Sequence, residues 1–352
     1  MKKSFKITTI LISMMLMVSI LLITATAEMD FSVTPELPDN QRPNGSSFFD
    51  LIVAPGMQQE LTIIVSNTRD DEIVVLVELI TASTSRNGQI NYTSRGMLDS
   101  SLKFSFEDMV TIPQTHFTIP AGDEITIPVS LTVPSESFDG AILGSIRVLR
   151  EATDDEREEA GAIVNQYAHI TAVRLVMTDD AEEIIQPDFA LGSITTELVN
   201  YRASIIAYIR NIEPILIKSA TATARIFPLG SDQPIFEHTM ESLDFAPNSV
   251  FPFSFVDREG FGIDPGNYTA VITLEHEGRT WEFDENFIIT AEEADEVNEG
   301  AVNQNLPEEP EEESIPIWVY ISIGLGGAIL IAVIILIIVV VKKGSRRGLP
   351  KV

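Results

Sequence analysis

The four histidines are the first candidates for chemistry, because an imidazole can transfer protons and bind metal ions near neutral pH. They are His116, His169, His238 and His276. None belongs to an H-E-x-x-H or H-x-H motif, and none has an Asp or Asn partner at a spacing typical of a catalytic site. We therefore interpret all four as ordinary strand or loop residues.

Nucleophilic catalysis also lacks a motif in this sequence. The serines form no G-x-S-x-G turn and no S-x-x-K motif with its companion motifs. The chain has no cysteine, which excludes a thiol nucleophile, a thiolate metal site and a disulfide. We accordingly predict no catalytic residue and no cofactor, and the sequence alone identifies no ligand-binding residue.

Paired acidic residues raise the question of calcium binding. Such pairs occur at Asp70–Asp71, Asp154–Asp155 and Asp179–Asp180. None has the alternating oxygen ligands and the terminal glutamate of an EF-hand loop. In a chain with 52 acidic residues, solvated turns explain these pairs better, so we predict no metal site.

Aromatic residues are the remaining hint of a binding surface. Those that alternate along a strand share one face of it, and sandwich cores use such residues heavily. We therefore expect most of them to pack in cores. The residues concerned are Phe48, Phe49, Phe251, Phe253, Phe255, Trp281 and Phe283.

Strands must position these residues, because the dominant sequence period is two. In residues 118–134, TIPAGDEITIPVSLTVP, a Pro-Ala-Gly turn leads into a segment with one apolar face, and its polar face from Glu124 to Thr132 is a candidate binding surface. Pro128 lies on that face and cannot donate to a ladder, so its side of the strand must meet an edge, a bulge or solvent. The apolar face consists of Ile125, Ile127, Val129, Leu131 and Val133.

Further strands follow from the same pattern, and Asn87–Gly88 is the strongest hairpin signal. About seven short strands in each half predict an all-β fold of two tandem immunoglobulin-like antiparallel β-sandwiches, with a pair of small barrels as the alternative. The additional strands are predicted at 60–67, 72–84, 141–151, 166–178, 188–198, 203–211, 219–228, 249–257, 267–276 and 280–290.

The acidic run TDDEREEA at 153–160 interrupts this pattern and marks a domain junction or a solvated hairpin tip. With the junction preferred, the N-terminal sandwich spans 28–152 and the second sandwich spans 160–290. Residues 291–314 are rich in Glu and poor in large apolar residues, so we predict a disordered stalk there.

Both ends carry targeting signals. Residues 1–27 combine three lysines, an apolar run and a small-residue cleavage site, as in a secretory signal peptide, with an uncleaved signal anchor as the alternative. Residues 317–341 contain no charge and are long enough for a C-terminal transmembrane helix. The basic tail at 342–352 is predicted to be cytoplasmic. We expect a single-pass protein of the cell membrane whose sandwiches are extracellular, in the cell wall.

The charge of the predicted exterior excludes one class of partner. Three of the 23 basic residues lie in 1–27 and five in 342–352, so 15 basic residues remain against 52 acidic ones, a net charge of −37. Such a surface repels polyanions. We therefore predict no nucleic-acid binding.

Seven segments follow one another in an order that is typical of a known family, although each segment alone is a common strand-and-turn pattern. They are FSVTPELPDN (31–40), FFDLIVAPGMQQELTIIVSNTRDDEIVVLVEL (48–79), HFTIPAGDEITIPVSLTVPSESFDGAILGSIRV (116–148), NQYAHITAVRL (165–175), FAPNSVFPFSF (245–255), PGNYTAVITL (265–274) and TWEFDENFIIT (280–290). In this order they resemble the WxL-interacting protein family of Gram-positive bacteria. The resemblance implies an N-terminal peptidoglycan-binding domain, a second domain that binds host extracellular-matrix protein, and WxL-domain surface proteins as partners.

These observations predict a cell-surface adaptor or adhesin that binds peptidoglycan and partner proteins without catalysis. One alternative is a cell-wall-active enzyme, which requires reactive residues assembled from distant loops. The other is a sensory receptor ectodomain, which the short tail disfavours because it has no room for a signalling domain.

Overall fold

The computed structural model describes residues 30–43, 45–153, 156–158, 166–257 and 262–302. The predicted signal peptide at 1–27, the membrane span at 317–341 and the basic tail at 342–352 lie outside these residues. Within the described part of the chain, no helix combines the length and apolarity that crossing a membrane requires.

The first half of the described chain forms two sheets that enclose one core, here called the first sandwich. Hairpin β5 (Ser83–Thr84) and β6 (Ile90–Asn91) and a helical turn α1 (Phe106–Met109) lie in its loops. Its four-stranded sheet has the order β1 (Phe31–Glu36), β3 (Gln58–Asn67), β9 (Glu124–Thr132), β7 (Val110–Thr111). Its five-stranded sheet has the order β2 (Phe49–Ile52), β11 (Ala168–Val176), β10 (Ala141–Arg150), β4 (Ile73–Thr81), β8 (His116–Ile119).

Alternation of side chains produces this core. Strands β3 and β9 are antiparallel neighbours, with Ile63 opposite Ile127. Their inward side chains are buried, apart from Gln59 and Ile125 near the strand ends, while the intervening ones are exposed or half-buried, so the predicted one-faced strand in 118–134 is confirmed. The buried residues of the pair are Leu61, Ile63, Val65, Ile127, Val129 and Leu131.

Pro128 lies in the setting that its missing N–H requires. On one side it is opposite Thr62 of β3. On the other side β7 pairs with β9 at Ser130 and Leu131, and within the described residues this ladder extends no further toward Pro128. The proline therefore faces a gap beside a two-residue strand, where no ladder hydrogen bond is lost.

Strand β11 belongs to the first sandwich, although it follows the acidic run at 153–160. It is antiparallel to β10 and parallel to β2, with Val173 opposite Gly144 on one side and Phe49 on the other. This differs from the predicted division, which assigns the segment to a second sandwich starting at residue 160. Strand β10 is buried along almost its whole length, so the backbone N–H and C=O groups at both of its edges need hydrogen-bond partners. Strand β4 pairs with one edge and β11 with the other, and β11 also supplies Val173 and Leu175 to the core.

The parallel pairing of β2 with β11 makes the five-stranded sheet mixed, so the prediction of purely antiparallel sheets is wrong at this pair. This pairing places two apolar side chains of β2 in the core. Phe49 and Leu51 of β2 are completely buried, and β2 places them beside β11 at the edge of the sheet.

The second half also forms two sheets. One has the order β12 (Phe189–Val199), β13 (Arg202–Asn211), β16 (Ser249–Val256), and the other has the order β15 (Phe236–Phe245), β14 (Ile217–Pro228), β17 (Gly266–His276), β18 (Arg279–Ile289). Six of these strands are predicted from the sequence and β15 is not. Its exposed positions are polar and most of its other positions are only half-buried, so its apolar period is weak.

Aromatic rings fill the core of this second sandwich. Phe251, Phe253 and Phe255 of β16 are buried and contact one another in sequence. Phe245 of β15 meets Phe251 edge-on across the two sheets, with ring centres 5.5 Å apart. The prediction of core packing is therefore confirmed for β16. In β18, Trp281 and Phe283 are only half-buried.

Two compact units can be distinguished. Of the described residues, the first contains those up to Thr195, Ile205–Phe255 and Pro265–Thr290, and thus the main part of both sandwiches. The second contains Thr196–Ser204, the described residues of Val256–Asp264 and those from Ala291 to Val302.

Helix α2 (Ala291–Gly300) lies in the second unit and corrects the prediction of a disordered stalk at 291–314. Ala294 and Val297, three residues apart on one helix face, are buried. Asn298 accepts a hydrogen bond from Ile263 N at 2.8 Å and donates one to Ile263 O at 2.9 Å. A single apolar pair and one bidentate asparagine therefore order the start of a segment whose composition indicates disorder. Residues 303–314 lie outside the described chain.

Candidate functional site

The two sandwiches meet along a seam inside the first compact unit, and hairpin β5–β6 forms one part of it. Thr84 Oγ1 lies 2.7 Å from Ser249 Oγ and accepts a hydrogen bond from Ala246 N at 3.0 Å. Thr84 and Ser249 are both buried. Because water is excluded, losing either partner would leave a buried polar group unsatisfied.

The tip of this hairpin is the predicted Asn87–Gly88 turn. Gly88 has φ +67° and donates to Ser85 O at 2.9 Å, and its carbonyl accepts from Asp244 N at 2.8 Å. A Cβ at position 88 would overlap the side chain of Leu243. Glycine is thus needed both for the turn and for the contact with the second sandwich.

A second part of the seam extends strand β16. Leu98 forms an antiparallel bridge with Ser249, Val250 N donates to Met97 O at 3.0 Å, and Asp99 N donates to Asn248 O at 2.8 Å. Residues 97–99 of the first half therefore pair with the edge of a sheet in the second half.

An ion pair lies next to this bridge. Arg210 Nε is 2.5 Å from Asp99 Oδ2 and Arg210 Nη2 is 3.1 Å from Asp99 Oδ1. Burial is the strongest influence on the pKa of Asp99 and raises it, but hydrogen bonds from Arg210 and Ser101 outweigh burial and keep the pKa below its ordinary value. The hydrogen bonds that Arg210 donates to Asp99 in turn raise the pKa of Arg210.

A cleft of about 210 Å³ opens at the seam beside these groups. Its wall is partly apolar, with Phe104 half-buried, and partly polar, with exposed side chains at Ser137 and Asp139. Asn248 at its base is fixed by hydrogen bonds to Ser101 Oγ at 2.8 Å and Ile212 O at 3.1 Å. The complete lining is Ser101, Leu102, Lys103, Phe104, Ser137, Phe138, Asp139, Ile142, Ile212, Pro214 and Asn248.

This lining suits a small polar ligand with an apolar face. Small-molecule sites combine apolar and aromatic walls with a few polar groups that fix orientation. The cleft offers the half-buried Phe104 ring and the buried Phe138 ring, hydroxyl groups, one carboxylate and the Lys103 ammonium, whose Nζ lies 5.4 Å from the centre of the Phe104 ring. A sugar ring has hydroxyl groups around an apolar face and matches this combination.

The four histidines lie on four different strands and contact different groups. His116 Nδ1 is 2.9 Å from Thr115 Oγ1, and His169 Nε2 is 2.9 Å from Phe31 O. The rings of His238 and Phe253 lie 5.5 Å apart, and His276 Nε2 is 4.0 Å from Glu277. The structure brings no two of the four into one of these contacts.

The acidic pairs meet arginines. Asp71 Oδ1 lies 2.6 Å from Arg69 Nε, and this hydrogen bond holds the pKa of Asp71 below its ordinary value. Asp179 Oδ1 lies 2.7 Å from Arg42 Nε. Asp154–Asp155 lies outside the described residues. Within the described ranges, no three His, Asp or Glu side chains are grouped so as to hold a metal ion.

One acidic residue without a motif is deeply buried. Asp50 is 1% exposed and lies between Arg42 at 3.6 Å and Arg174 at 3.5 Å, and Arg174 also pairs with Glu182. Burial lowers the pKa of Arg174. These ion pairs connect β2 and β11 with the loop before β2 and the loop after β11.

The polar face of β9 does not contribute to the cleft. Glu124, Thr126, Ser130 and Thr132 are exposed there. Three residues of the seam, Asp99, Arg210 and Asn248, are not recognisable as a site from the sequence. They are more than 30 residues apart in the chain, and no local motif connects them.

Two family models match consecutive parts of the chain. The peptidoglycan binding domain of WxL Interacting Protein matches residues 31–150, and the host binding domain of the same protein matches residues 158–299. No protein with a curated description matches significantly.

Solved structures are similar only distantly. The YadV chaperone is 12% identical, with 74% of this chain and 100% of that chain covered and a TM-score of 0.28. The CsuC–CsuE chaperone–tip adhesion subunit complex of Acinetobacter baumannii is 8% identical, with 66% and 98% covered and a TM-score of 0.29. TM-scores this low carry no argument about this chain. The two family models identify the family of this chain, because together they match most of the chain in the expected order. The chain belongs to the WxL-interacting protein family.

Proposed function

We propose that this chain is a non-catalytic cell-surface adaptor whose first sandwich binds peptidoglycan and whose second sandwich binds a partner protein. The observation that carries this proposal is the succession of a peptidoglycan-binding and a host-binding domain match along one chain. The proposed protein partners are WxL-domain surface proteins and host extracellular-matrix protein.

The location and architecture form part of the same proposal. The signal peptide at 1–27 exports the chain, and the apolar segment at 317–341 anchors it in the membrane with the tail 342–352 in the cytoplasm. The sandwiches are immunoglobulin-like, which is supported by sheets of four and five strands in one and three and four in the other. Strand β11 is counted with the first sandwich.

We place the glycan in the cleft at the seam. Phe104 would pack against the apolar face of a sugar ring, and Ser137, Asp139 and Asn248 would bind hydroxyl and acetamido groups. The walls come from both halves of the chain, since Ile212, Pro214 and Asn248 complete the site. Glycan binding in this position depends on an intact seam.

Co-sedimentation with insoluble peptidoglycan tests the proposal. The full-length chain in a neutral detergent is mixed with purified peptidoglycan and pelleted, and we expect it in the pellet. Phe104→Ala should weaken binding about tenfold, the effect of losing one aromatic anchor.

Phe117→Ala is the matched control, because Phe117 also packs partly buried against the first core but does not line the cleft. Absence of the unaltered chain from the pellet would refute peptidoglycan binding. Equal weakening by both substitutions would refute the cleft as the site.

A further inference from the structure

Strand β18 forms a long regular edge of the second sandwich. It pairs with β17 without interruption over eleven positions, from Gly266 opposite Ile289 to His276 opposite Arg279. Among the described strands it is the last of its sheet. Such an edge presents backbone N–H and C=O groups to which an extended chain can pair.

Two other edges of this sandwich are occupied or irregular. Strand β16 pairs with residues 97–99. Strand β15 has register shifts against β14 near Ala220, and its Asp244 N is bound to the hairpin tip at Gly88. Strand β12 is also an edge strand of its sheet. Its only charged residue is Glu197, so β12 has no row of charges that would select a partner strand.

The charge of β18 selects the kind of chain that can pair with it. Glu282, Asp284 and Glu285 are all exposed. The single cation of the strand, Arg279, lies over the Trp281 ring at 4.7 Å. Like charges directly opposite one another destabilise a strand pair and opposite charges stabilise it. Pairing of two β18 edges from two copies is therefore disfavoured, and a basic strand is favoured.

The other face of β18 selects apolar side chains. Phe283 and Phe287 point to the inner side of the sheet but are only half-buried, with the exposed Glu285 between them on the same face, and Phe287 stacks on Tyr268 with ring centres 5.6 Å apart. A strand added at this edge would cover both rings with its inward side chains, while its outward side chains would face Glu282 and Asp284.

We propose that an extended segment of a partner protein, in which Lys or Arg alternates with apolar residues, adds to β18 as the fifth strand of its sheet. Main-chain hydrogen bonds provide affinity in this mode, and alternate side chains provide specificity. The inference rests on the proposed function, since β18 lies in the part matched by the host-binding model, and it defines the chemistry of the partner.

The test uses two fluorescent decapeptides, one alternating Lys with Val or Thr and one with Glu in place of Lys. Full-length chain in a neutral detergent should bind the Lys peptide and not the Glu peptide. The double substitution Glu282→Lys and Asp284→Lys should weaken the Lys peptide by at least about tenfold, because two attractive cross-strand pairs become repulsive, and should allow the Glu peptide to bind.

Asp232→Lys with Glu241→Lys is the matched control. It changes the net charge equally, at exposed positions on β15 and the loop before it, at the opposite edge of the same sheet. We expect less than about a threefold change. Equal weakening by both double substitutions would show only long-range attraction and overturn the proposal.

Amide hydrogen exchange gives a second readout. The Lys peptide should protect residues 279–289, and protection at β12 or β15 instead would overturn the proposal. The β18 double variant should still co-sediment with peptidoglycan. If the double variant co-sediments with peptidoglycan but neither it nor the unaltered chain distinguishes the Lys peptide from the Glu peptide, this inference fails while the proposed glycan binding stands.

Discussion

Asp99 shows how much one side chain contributes to the seam. Its carboxylate is 2% exposed and receives two hydrogen bonds from Arg210. Asp99→Asn removes the charge and replaces one of the two carboxylate acceptors of Arg210 with an NH2 donor, so the free energy of unfolding should fall by about 2 kcal/mol. Urea unfolding of the full-length chain measures this, with exposed Asp232→Asn expected to change it by less than about 0.5 kcal/mol. An equal effect of both would contradict a special role for Asp99.

The contribution of Asp99 should depend on pH with a defined sign. Because the folded-state pKa of Asp99 is lowered, its stabilisation is fully present above the unfolded value of roughly 3.9 and is lost as pH falls through the folded value. The difference in unfolding free energy between the unaltered chain and Asp99→Asn should stay constant from about pH 8 to about pH 5 and shrink in stronger acid. A difference that grows on acidification would show the opposite shift.

Gly144 is needed because a ring lies where its side chain would be. A Cβ at this position in β10 would overlap the buried Phe106 of α1. Gly144→Ala should therefore lower the free energy of unfolding by about 1–3 kcal/mol through overpacking. Gly266→Ala is the control, since a Cβ there meets Tyr268 at an ordinary 3.5 Å. Equal stability of both variants would mean that α1 can move away.

For single residues, the sequence predicts burial well, but it does not predict contacts between residues that are far apart in the chain. Phe251 and Ile127 follow from alternation alone, because the period of two places them on an inner face. Asp99 and Arg210 do not, because a contact over 111 positions depends on how two sandwiches pack. No local pattern records that packing.

Hairpin β5–β6 is the element that connects the sandwiches by its tip. Gly88→Ala should strain a backbone with φ +67° and also push against Leu243. We expect amide exchange in 83–91 and 243–250 to become about tenfold faster as this contact opens more often. Gly122→Ala is matched for strain, with φ +70° and open space around it. Similar exchange at the seam in both variants would refute the role of the tip contact.

Elements with a strong period are predictable and those defined by a partner are not. Strands β3, β9 and β17 follow from their own sequence, since one face is continuously apolar. Strand β15 has little apolar signal and is fixed by pairing with β14, from Ile226 opposite Phe236 onward. Helix α2 is similar, because two buried residues and Asn298 order a segment rich in glutamate.

For the whole molecule, the seam predicts that the sandwiches unfold together. Buried hydrogen bonds and an ion pair join them within one compact unit. Calorimetry of the full-length chain should show one transition for both sandwiches. The double variant Gly88→Ala with Asp99→Asn should separate it into two. Two transitions in the unaltered chain would contradict coupling through the seam.

The position of strand β11 limits how the first sandwich can be exchanged between genes by recombination. The two family models end and begin on either side of residues 151–157, yet β11 at 168–176 lies between β2 and β10 in the first sandwich. A gene fragment ending at residue 150 would encode a sheet without one of its inner strands, and β2 would lose its neighbour. Recombination at that boundary would therefore give chimeric proteins whose first sandwich is unstable. The smallest module that evolution can exchange intact is longer than the first match.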